Sequence, residues 1–267
     1  MDVVLGGLHA QLQRPQTRKF AWPIVLLPEL FTSSQHLSLI GGQLVTLGWD
    51  VYLLDFASAP MGRTRGKGAA AFDTYAARIL AALGELGSDA IAAGHGLGGL
   101  LALKIAESSN VRAAVALAPW LPGLRSRLST RHLWSLWRPA KYALPRRRTI
   151  LDLISDATPF ERSALIKSLV PMDPLAIEEV ALGHMTIAKE AGPRIIITGE
   201  NDPIAPGERA AQFAAAIGAQ FATLPGRGHW LIGRAGLERA VAQMQRFLVR
   251  ALGEQLLLLY KDEPGAG

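Results

Sequence analysis

The chain has 267 residues, of which 49% are hydrophobic, and its formal net charge is +6. This length and apolar content suit one α/β domain with an insertion better than two domains. The absence of cysteine excludes disulfides, a thiolate nucleophile and cysteine metal sites. Apolar runs are too short to predict a transmembrane helix, and residues 1–11 lack a secretory pattern, so we expect a cytoplasmic protein.

The positive charge is concentrated in residues 121–150, which hold eight basic residues and no acidic one. These are Arg125, Arg127, Arg131, Arg138, Lys141, Arg146, Arg147 and Arg148. Trp134 and Trp137 lie among them. A peripheral contact with lipid, a contact with an anionic part of a substrate, and a solvated helical face all fit this composition. No nucleic-acid-binding motif accompanies the charge, so nucleic acid is not expected as a partner.

Short apolar runs alternate with helical patterns, which is typical of a mostly parallel sheet with crossover helices. Residues 1–22 predict one or two antiparallel lead-in strands. The core strands are predicted at 24–27, 51–55, 90–93, 113–117, 194–198 and 220–224. Helices are predicted at 35–47, 71–86, 97–108, 206–217 and 236–252.

The strand rhythm stops between residues 119 and 192, where the sequence is helical and interrupted by prolines. This break predicts an insertion after the sixth strand, counting the lead-in pair. We therefore expect a core made of residues 1–118 and 193–267, with residues 119–192 inserted as a helical cap.

Three short motifs each follow a predicted strand. In chain order they are a glycine-rich elbow, meaning a sharp turn from strand to helix, a loop with an acidic residue and a loop with a histidine. They are GHGLGG at 94–99, ENDP at 200–203 and GRGH at 226–229. Their order and placement resemble the α/β-hydrolase superfamily with a helical cap, over residues 23 to about 252. The resemblance implies a doubly wound, mostly parallel sheet of the α/β-hydrolase type.

The resemblance also implies roles for individual residues. In that family a carboxylate orients an imidazole, the imidazole takes the proton of a serine, and backbone amides hold the oxyanion. Asp202 and His229 match the first two roles, whereas Gly96 stands where the family carries its serine. A serine acyl-enzyme mechanism is therefore not expected. His95 flanks the elbow, where packing beside the site is the expected role.

The loop after the first core strand departs from the family pattern. It reads LLPELF, so Glu29 stands where the family usually has a glycine. The resemblance implies Leu30 and Leu97 as the two amide donors to an oxyanion. Two interpretations of Glu29 stay open: a carboxylate that reaches into the space beside Gly96 as a second acid or base, or a surface or salt-bridged glutamate on the loop.

Two classes of function compete, and the intact contexts of Asp202 and His229 favour an enzyme. In that class His229 is the general acid or base on a hydrophobic carbonyl substrate, or on a water beside Gly96. Elimination, decarboxylation, cyclisation and non-covalent hydrolysis all fit. The second class is a non-catalytic binder of a hydrophobic ligand or a partner. A serine esterase or acyl hydrolase inactivated by a serine-to-glycine change is a third alternative.

The expected ligand is small and hydrophobic, and an anionic end stays open. His36, His132 and His184 show no ligand spacing with one another or with carboxylates, so we expect no metal. The sequence carries no cofactor motif, and no cofactor is expected. It does not indicate an oligomeric state.

Overall fold

A computed structural model of the chain describes residues 1–55, 71–123, 147–170 and 179–257. Its strands are β1 (Asp2–Leu5), β2 (Leu8–Gln13), β3 (Ile24–Leu27), β4 (Val51–Asp55), β5 (Ala90–His95), β6 (Val111–Leu117), β7 (Arg194–Gly199) and β8 (Gln220–Leu224). Its α-helices are α1 (Ser38–Thr46), α2 (Ala71–Gly84), α3 (Leu97–Ile105), α4 (Arg147–Leu153), α5 (Pro159–Ser168), α6 (Gly207–Ala216) and α7 (Leu237–Leu252). Short 3-10 helices cover Ser34–Leu37 and Gly253–Leu256.

The described strands form one eight-stranded sheet in the order β1-β2-β4-β3-β5-β6-β7-β8. β2 is antiparallel to both β1 and β4, and every other neighbouring pair is parallel. Strands β3, β5 and β7 are buried along their whole length, as expected for a parallel sheet covered on both faces. The predicted mostly parallel sheet of the α/β-hydrolase type is confirmed.

The register of the parallel strands brings their carboxyl ends to one edge of the sheet. Leu27 pairs with Gly94, and His95 pairs with Leu117. Gly199 pairs with Leu224 at the far side of the same edge. The loops that follow β3, β5, β6, β7 and β8 therefore meet, at the edge where open α/β sheets place their ligand sites.

Glycine is required where α3 starts against the sheet. A Cβ on Gly94 would overlap the carbonyl group of Gly98, and a Cβ on Gly98 would overlap the carbonyl oxygens of Leu27 and Pro28. Because neither residue has a side chain, α3 begins in direct contact with β3 and β5. The loops after these two strands are consequently close to each other.

The connection between β6 and β7 contains α4 and α5. Thr158 caps α5, and its hydroxyl and the Glu161 side chain form a reciprocal capping box. The segment that follows α5 contacts the loop after β3, since the Val170 amide donates to the Phe31 carbonyl at 2.9 Å. That residues 119–192 form a cap stays a prediction, because residues 124–146 and 171–178 lie outside the described ranges.

Most of the basic segment, residues 121–150, lies outside the described residues, and so do both of its tryptophans, Trp134 and Trp137. Its proposed contact with lipid or with an anionic substrate therefore stays a prediction. Among the helices that the structure describes, none combines the length and the hydropathy that crossing a membrane requires.

Candidate active site

Gly96 forms the sharp turn between β5 and α3. Its backbone has φ 54° and ψ −116°, in the positive-φ range that glycine adopts without a steric penalty. A Cβ built on Gly96 would overlap both carboxylate oxygens and the Cδ atom of Glu29. The space beside Gly96, where the sequence predicted a water or substrate, is thus filled by the Glu29 carboxylate.

One oxygen of that carboxylate accepts three hydrogen bonds. Glu29 Oε1 lies 2.5 Å from the Leu30 amide nitrogen, 3.1 Å from the Leu97 amide nitrogen and 3.0 Å from Trp120 Nε1. The two amides are those that the family resemblance implied as oxyanion donors. The convergence point of these donors is occupied by an oxygen of the protein itself.

The turn after β3 directs the Glu29 side chain inward. The Thr32 amide and hydroxyl both donate to the Glu29 carbonyl, at 3.1 and 2.9 Å. Phe31 has φ 62°, a conformation that costs a non-glycine residue about 1–3 kcal/mol. Its surroundings hold the turn in this shape, and Glu29 is fully buried, with 0% relative exposure.

The second oxygen of Glu29 is hydrogen-bonded to His229. Glu29 Oε2 lies 2.8 Å from His229 Nε2. On the other side of the ring, His229 Nδ1 lies 2.9 and 3.0 Å from the two oxygens of Asp202. Asp202 Oδ1 also accepts from the amides of Ile204 and Ala205, at 2.8 and 2.9 Å. The structure therefore joins Glu29, His229 and Asp202 in one array.

Charge within this array stabilises the imidazolium form of His229. Burial lowers the pKa of His229, but the charge and hydrogen bond of Asp202, followed by those of Glu29, outweigh burial and raise it to about 10. Burial raises the pKa of Asp202, yet the charge and hydrogen bond of His229 and the two amide bonds hold it below its usual value. At neutral pH His229 donates to a carboxylate from each ring nitrogen.

His95 supports the histidine loop and stays neutral. Its Nε2 lies 2.7 Å from the His229 carbonyl oxygen, which can only accept, so Nε2 carries the proton. Burial, followed by the charge of His229, lowers the pKa of His95 to about 4. Its Nδ1 lies 3.4 Å from Glu29 Oε2 and has no hydrogen-bond partner within the described chain. The ring meets Trp230 edge-on, which fits packing beside the site.

Glu29, His95 and His229 also form the kind of group that can bind a metal. One ligand atom from each lies within 4.8 Å of the other two. The sequence could not indicate this group, because its members come from three distant loops. If a metal ion bound here, Glu29 and His229 would each bind the metal and would lose the hydrogen bond between them. The prediction that the site uses no metal stays a prediction.

All seven residues predicted from the sequence meet at this edge of the sheet: Glu29, Leu30, His95, Gly96, Leu97, Asp202 and His229. Sequence reasoning missed Trp120, which donates to Glu29 Oε1. Its only signal was its position three residues after β6, at the same carboxyl edge. Indoles are common in packing, so the sequence alone did not indicate a polar role.

Comparisons with known proteins agree with this architecture. A family model described as "Alpha/beta hydrolase family" matches residues 19–242. A search of curated proteins finds no match. Three similar solved structures support only the fold, because none of them is more than 18% identical to this chain.

The first is a monoacylglycerol lipase from Paleococcus ferrophilus, with 18% identity, 90% of this chain and 98% of that chain covered, and a TM-score of 0.68. A thermophilic esterase from Thermogutta terrifontis has 17% identity, coverages of 94% and 98%, and a TM-score of 0.66. A mutant epoxide hydrolase from Bacillus megaterium has 14% identity, coverages of 93% and 99%, and a TM-score of 0.67.

Proposed function

The chain belongs to the alpha/beta hydrolase family, and we propose that it is a hydrolase whose nucleophile is the Glu29 carboxylate in place of a serine hydroxyl. His229, oriented by Asp202, is its acid and base. The observation that carries this proposal is the position of the carboxylate: Oε2 is bonded to His229, and Oε1 to the Leu30 and Leu97 amides and the Trp120 indole. Carboxylates are established covalent nucleophiles in enzymes.

In the first step Glu29 Oε2 attacks a saturated electrophilic carbon of the substrate. A carbon–oxygen bond forms, and the bond between that carbon and its leaving group breaks. The leaving group departs with the bonding electrons and takes a proton from solvent. The product is a glutamyl ester in which Oε1 is the carbonyl oxygen, and it is formed without moving Oε1 from its three donors.

In the second step water hydrolyses the ester. Esterification removes the negative charge of Glu29, which is one cause of the raised pKa of His229, so that pKa falls and Nε2 loses its proton to solvent. Neutral His229 then takes a proton from water as the water oxygen attacks Glu29 Cδ. The oxyanion develops on Oε1, where the two amides and the indole stabilise it.

Collapse of this intermediate breaks the bond between Cδ and Oε2. His229 returns its proton to the departing alcohol oxygen, which is the former Oε2. The second proton of the water then passes from the Glu29 carboxyl group to His229, which restores the imidazolium and a carboxylate with one oxygen from water. The net reaction converts the substrate and one water into an alcohol and the protonated leaving group.

The same geometry changes the expected substrate class. While Glu29 occupies the three donors, a substrate carbonyl has no place among them, which disfavours the carbonyl substrate expected from the sequence. The buried array holds one imidazolium and two carboxylates, so its net charge repels an anionic substrate. A small, uncharged, hydrophobic molecule with an electrophilic saturated carbon fits best, and the similar fold of an epoxide hydrolase suggests an epoxide as the first probe.

A non-catalytic binder is the second candidate. The observation that favours it is that Glu29 is fully buried and that both of its carboxylate oxygens are hydrogen-bonded within the protein. A serine esterase inactivated by one replacement is less consistent with the site, because any side chain at residue 96 would overlap Glu29.

Isotope labelling in a single turnover tests the proposal. Excess enzyme is mixed with a hydrophobic epoxide, such as styrene oxide, in water enriched in oxygen-18. A glutamyl ester places the heavy oxygen in Glu29 and leaves the first product unlabelled, which mass spectrometry of the peptide and the diol detects. Direct attack by water labels the diol and not Glu29, and contradicts the proposal.

Three variants complete the experiment. Glu29→Gln should form no ester, because the amide is a poor nucleophile. His229→Ala should form the ester and fail to hydrolyse it, which intact-protein mass spectrometry shows as a stable adduct. Glu85→Gln, an exposed carboxylate on the surface, is the matched control and should behave as the unmodified protein. If neither adduct nor turnover occurs with epoxides and alkyl halides of several sizes, the binder is the better explanation.

A further inference from the structure

We infer that Ser155 and Asp156, in the turn between α4 and α5, are positioning residues that hold the loop carrying His229. Ser155 Oγ accepts from the His229 amide at 3.1 Å. Asp156 Oδ2 accepts from the Gly228 amide and Asp156 Oδ1 from the Trp230 amide, each at 2.9 Å. Two adjacent side chains thus bind three consecutive amides with His229 at the centre.

These three hydrogen bonds matter for two reasons: the amides have few other acceptors, and two of the bonds are made to a carboxylate. The amides lie in an irregular loop, where no neighbouring strand of the described chain supplies acceptors, and an unpaired amide away from water is costly. Hydrogen bonds to a carboxylate are shorter and about twice as strong as neutral ones. A single carboxylate that accepts from both sides of His229 fixes the backbone on which the imidazole stands.

The sequence of the loop is adapted to this contact. A Cβ built on Gly228 would lie 2.5 Å from Ser155 Oγ and 3.2 Å from Asp156 Oδ1. Only glycine therefore lets the turn approach the loop this closely. The glycine before the histidine in the GRGH motif has a packing role here.

Every polar group of His229 is consequently hydrogen-bonded to another residue. Its amide is bound by Ser155, its carbonyl by His95, and its ring by Asp202 and Glu29. Downstream, Glu161 of α5 accepts from the Arg234 amide at 2.9 Å, which extends the attachment along the same loop. The connection between β6 and β7 therefore takes part in placing the imidazole.

The kinetic consequence rests on the proposed function. In that mechanism Glu29 attacks without help from His229, whereas hydrolysis of the ester needs the imidazole in place. Loosening the loop should therefore slow the second step and leave the first nearly unchanged. Misplacing a catalytic group by about 1 Å can cost about 100-fold in rate.

The test compares Asp156→Ala and Ser155→Ala with the unmodified protein, using styrene oxide as substrate. Both variants should lower kcat, by about 10- to 100-fold for Asp156→Ala, while kcat/KM stays within about twofold, because kcat/KM reports ester formation. Quenched samples should contain more glutamyl ester by intact mass. Ser155→Thr, which keeps the hydroxyl, should restore turnover. A parallel fall of kcat and kcat/KM without ester accumulation would overturn the inference.

Asp152→Ala is the matched control, because Asp152 lies on α4 and contacts none of these amides in the described structure. It should leave kcat and ester content unchanged.

A second measurement does not depend on the reaction. Hydrogen exchange by NMR should show the amides of Gly228, His229 and Trp230 exchanging at least about tenfold faster in Asp156→Ala, with the β5 amides unchanged. Unchanged exchange at all three amides would overturn the inference even in an active enzyme. If no protein variant forms an ester, faster exchange still supports the positioning contact, and only the proposed function fails.

Discussion

Replacing Gly96 by serine should damage the protein rather than create a serine hydrolase. The new Cβ would overlap the Glu29 carboxylate, so Glu29 must leave its bonds to Leu30, Leu97, Trp120 and His229. Hydrogen bonds to charged groups contribute about 1.5–3 kcal/mol each. A non-glycine residue at φ 54° adds about 1–3 kcal/mol of strain.

Loss of only two of the four bonds, together with this strain, gives a decrease of about 4–9 kcal/mol in the free energy of unfolding. That is a large part of the total for a typical domain, which is about 5–15 kcal/mol. Urea unfolding followed by circular dichroism measures the decrease. We expect Gly96→Ser to be poorly folded at about 37 °C, because a marginally stable domain cannot lose this much free energy and stay folded.

Removing the carboxylate at the same time should rescue the protein. In the double variant Gly96→Ser with Glu29→Gly, the overlap is gone and the two amides and the indole are free. The double variant should be more stable than Gly96→Ser alone, by at least about 2 kcal/mol, which is a non-additive effect of residues in contact. The new hydroxyl then lies beside His229, and we expect reaction with an organophosphonate and a burst with an activated ester.

Two results would refute this reasoning. Gly96→Ser could prove as stable as the unmodified protein, which would mean that the carboxylate does not fill the space beside residue 96. Alternatively, the double variant could be less stable than either single variant, which would mean that residues 29 and 96 do not compete for the same volume.

Three further predictions follow from the site and the basic segment. Trp120→Phe removes one of the three donors to Oε1 and should slow ester hydrolysis by about 10- to 100-fold, measured in single turnovers, with ester formation less affected. The His229 pKa is raised in the folded state, so its stabilisation is complete below pH 6.5 and is lost as pH rises towards 10. Urea unfolding should therefore show a decrease of up to about 5 kcal/mol across that window, and His229→Gln should remove the decrease. If the basic segment binds anionic vesicles, co-sedimentation should weaken steeply with salt and with charge reversal of Arg146, Arg147 and Arg148. Co-sedimentation that changes with neither salt nor charge reversal would mean that the basic segment is only a solvated helical face.

The sequence predicted the sheet well because its signals are local and repeated. Apolar runs bounded by turn residues located the core strands within two residues of their observed bounds, and three of them, Ile24–Leu27, Val51–Asp55 and Gln220–Leu224, without error. The loops after β7 and β8 were informative because Asp202 and His229 stand in short motifs. These features depend on spacing along the chain, which a sequence displays directly.

The arrangement of Glu29 was not predictable to the same degree. Whether its side chain points into the site depends on the turn at Phe31 and on the absence of a side chain at Gly96, 67 positions later. The donor from Trp120 and the acceptors from Ser155 and Asp156 come from other loops. Such contacts are set by the packing of distant segments, and no periodicity or short motif encodes them.

The mutual exclusion of a side chain at residue 96 and a carboxylate at residue 29 ties the two positions together. A glutamate at residue 29 requires glycine at residue 96, and any larger residue at 96 requires a shorter side chain at 29. In an alignment of related chains the two positions should therefore vary together, although 66 residues separate them along the chain.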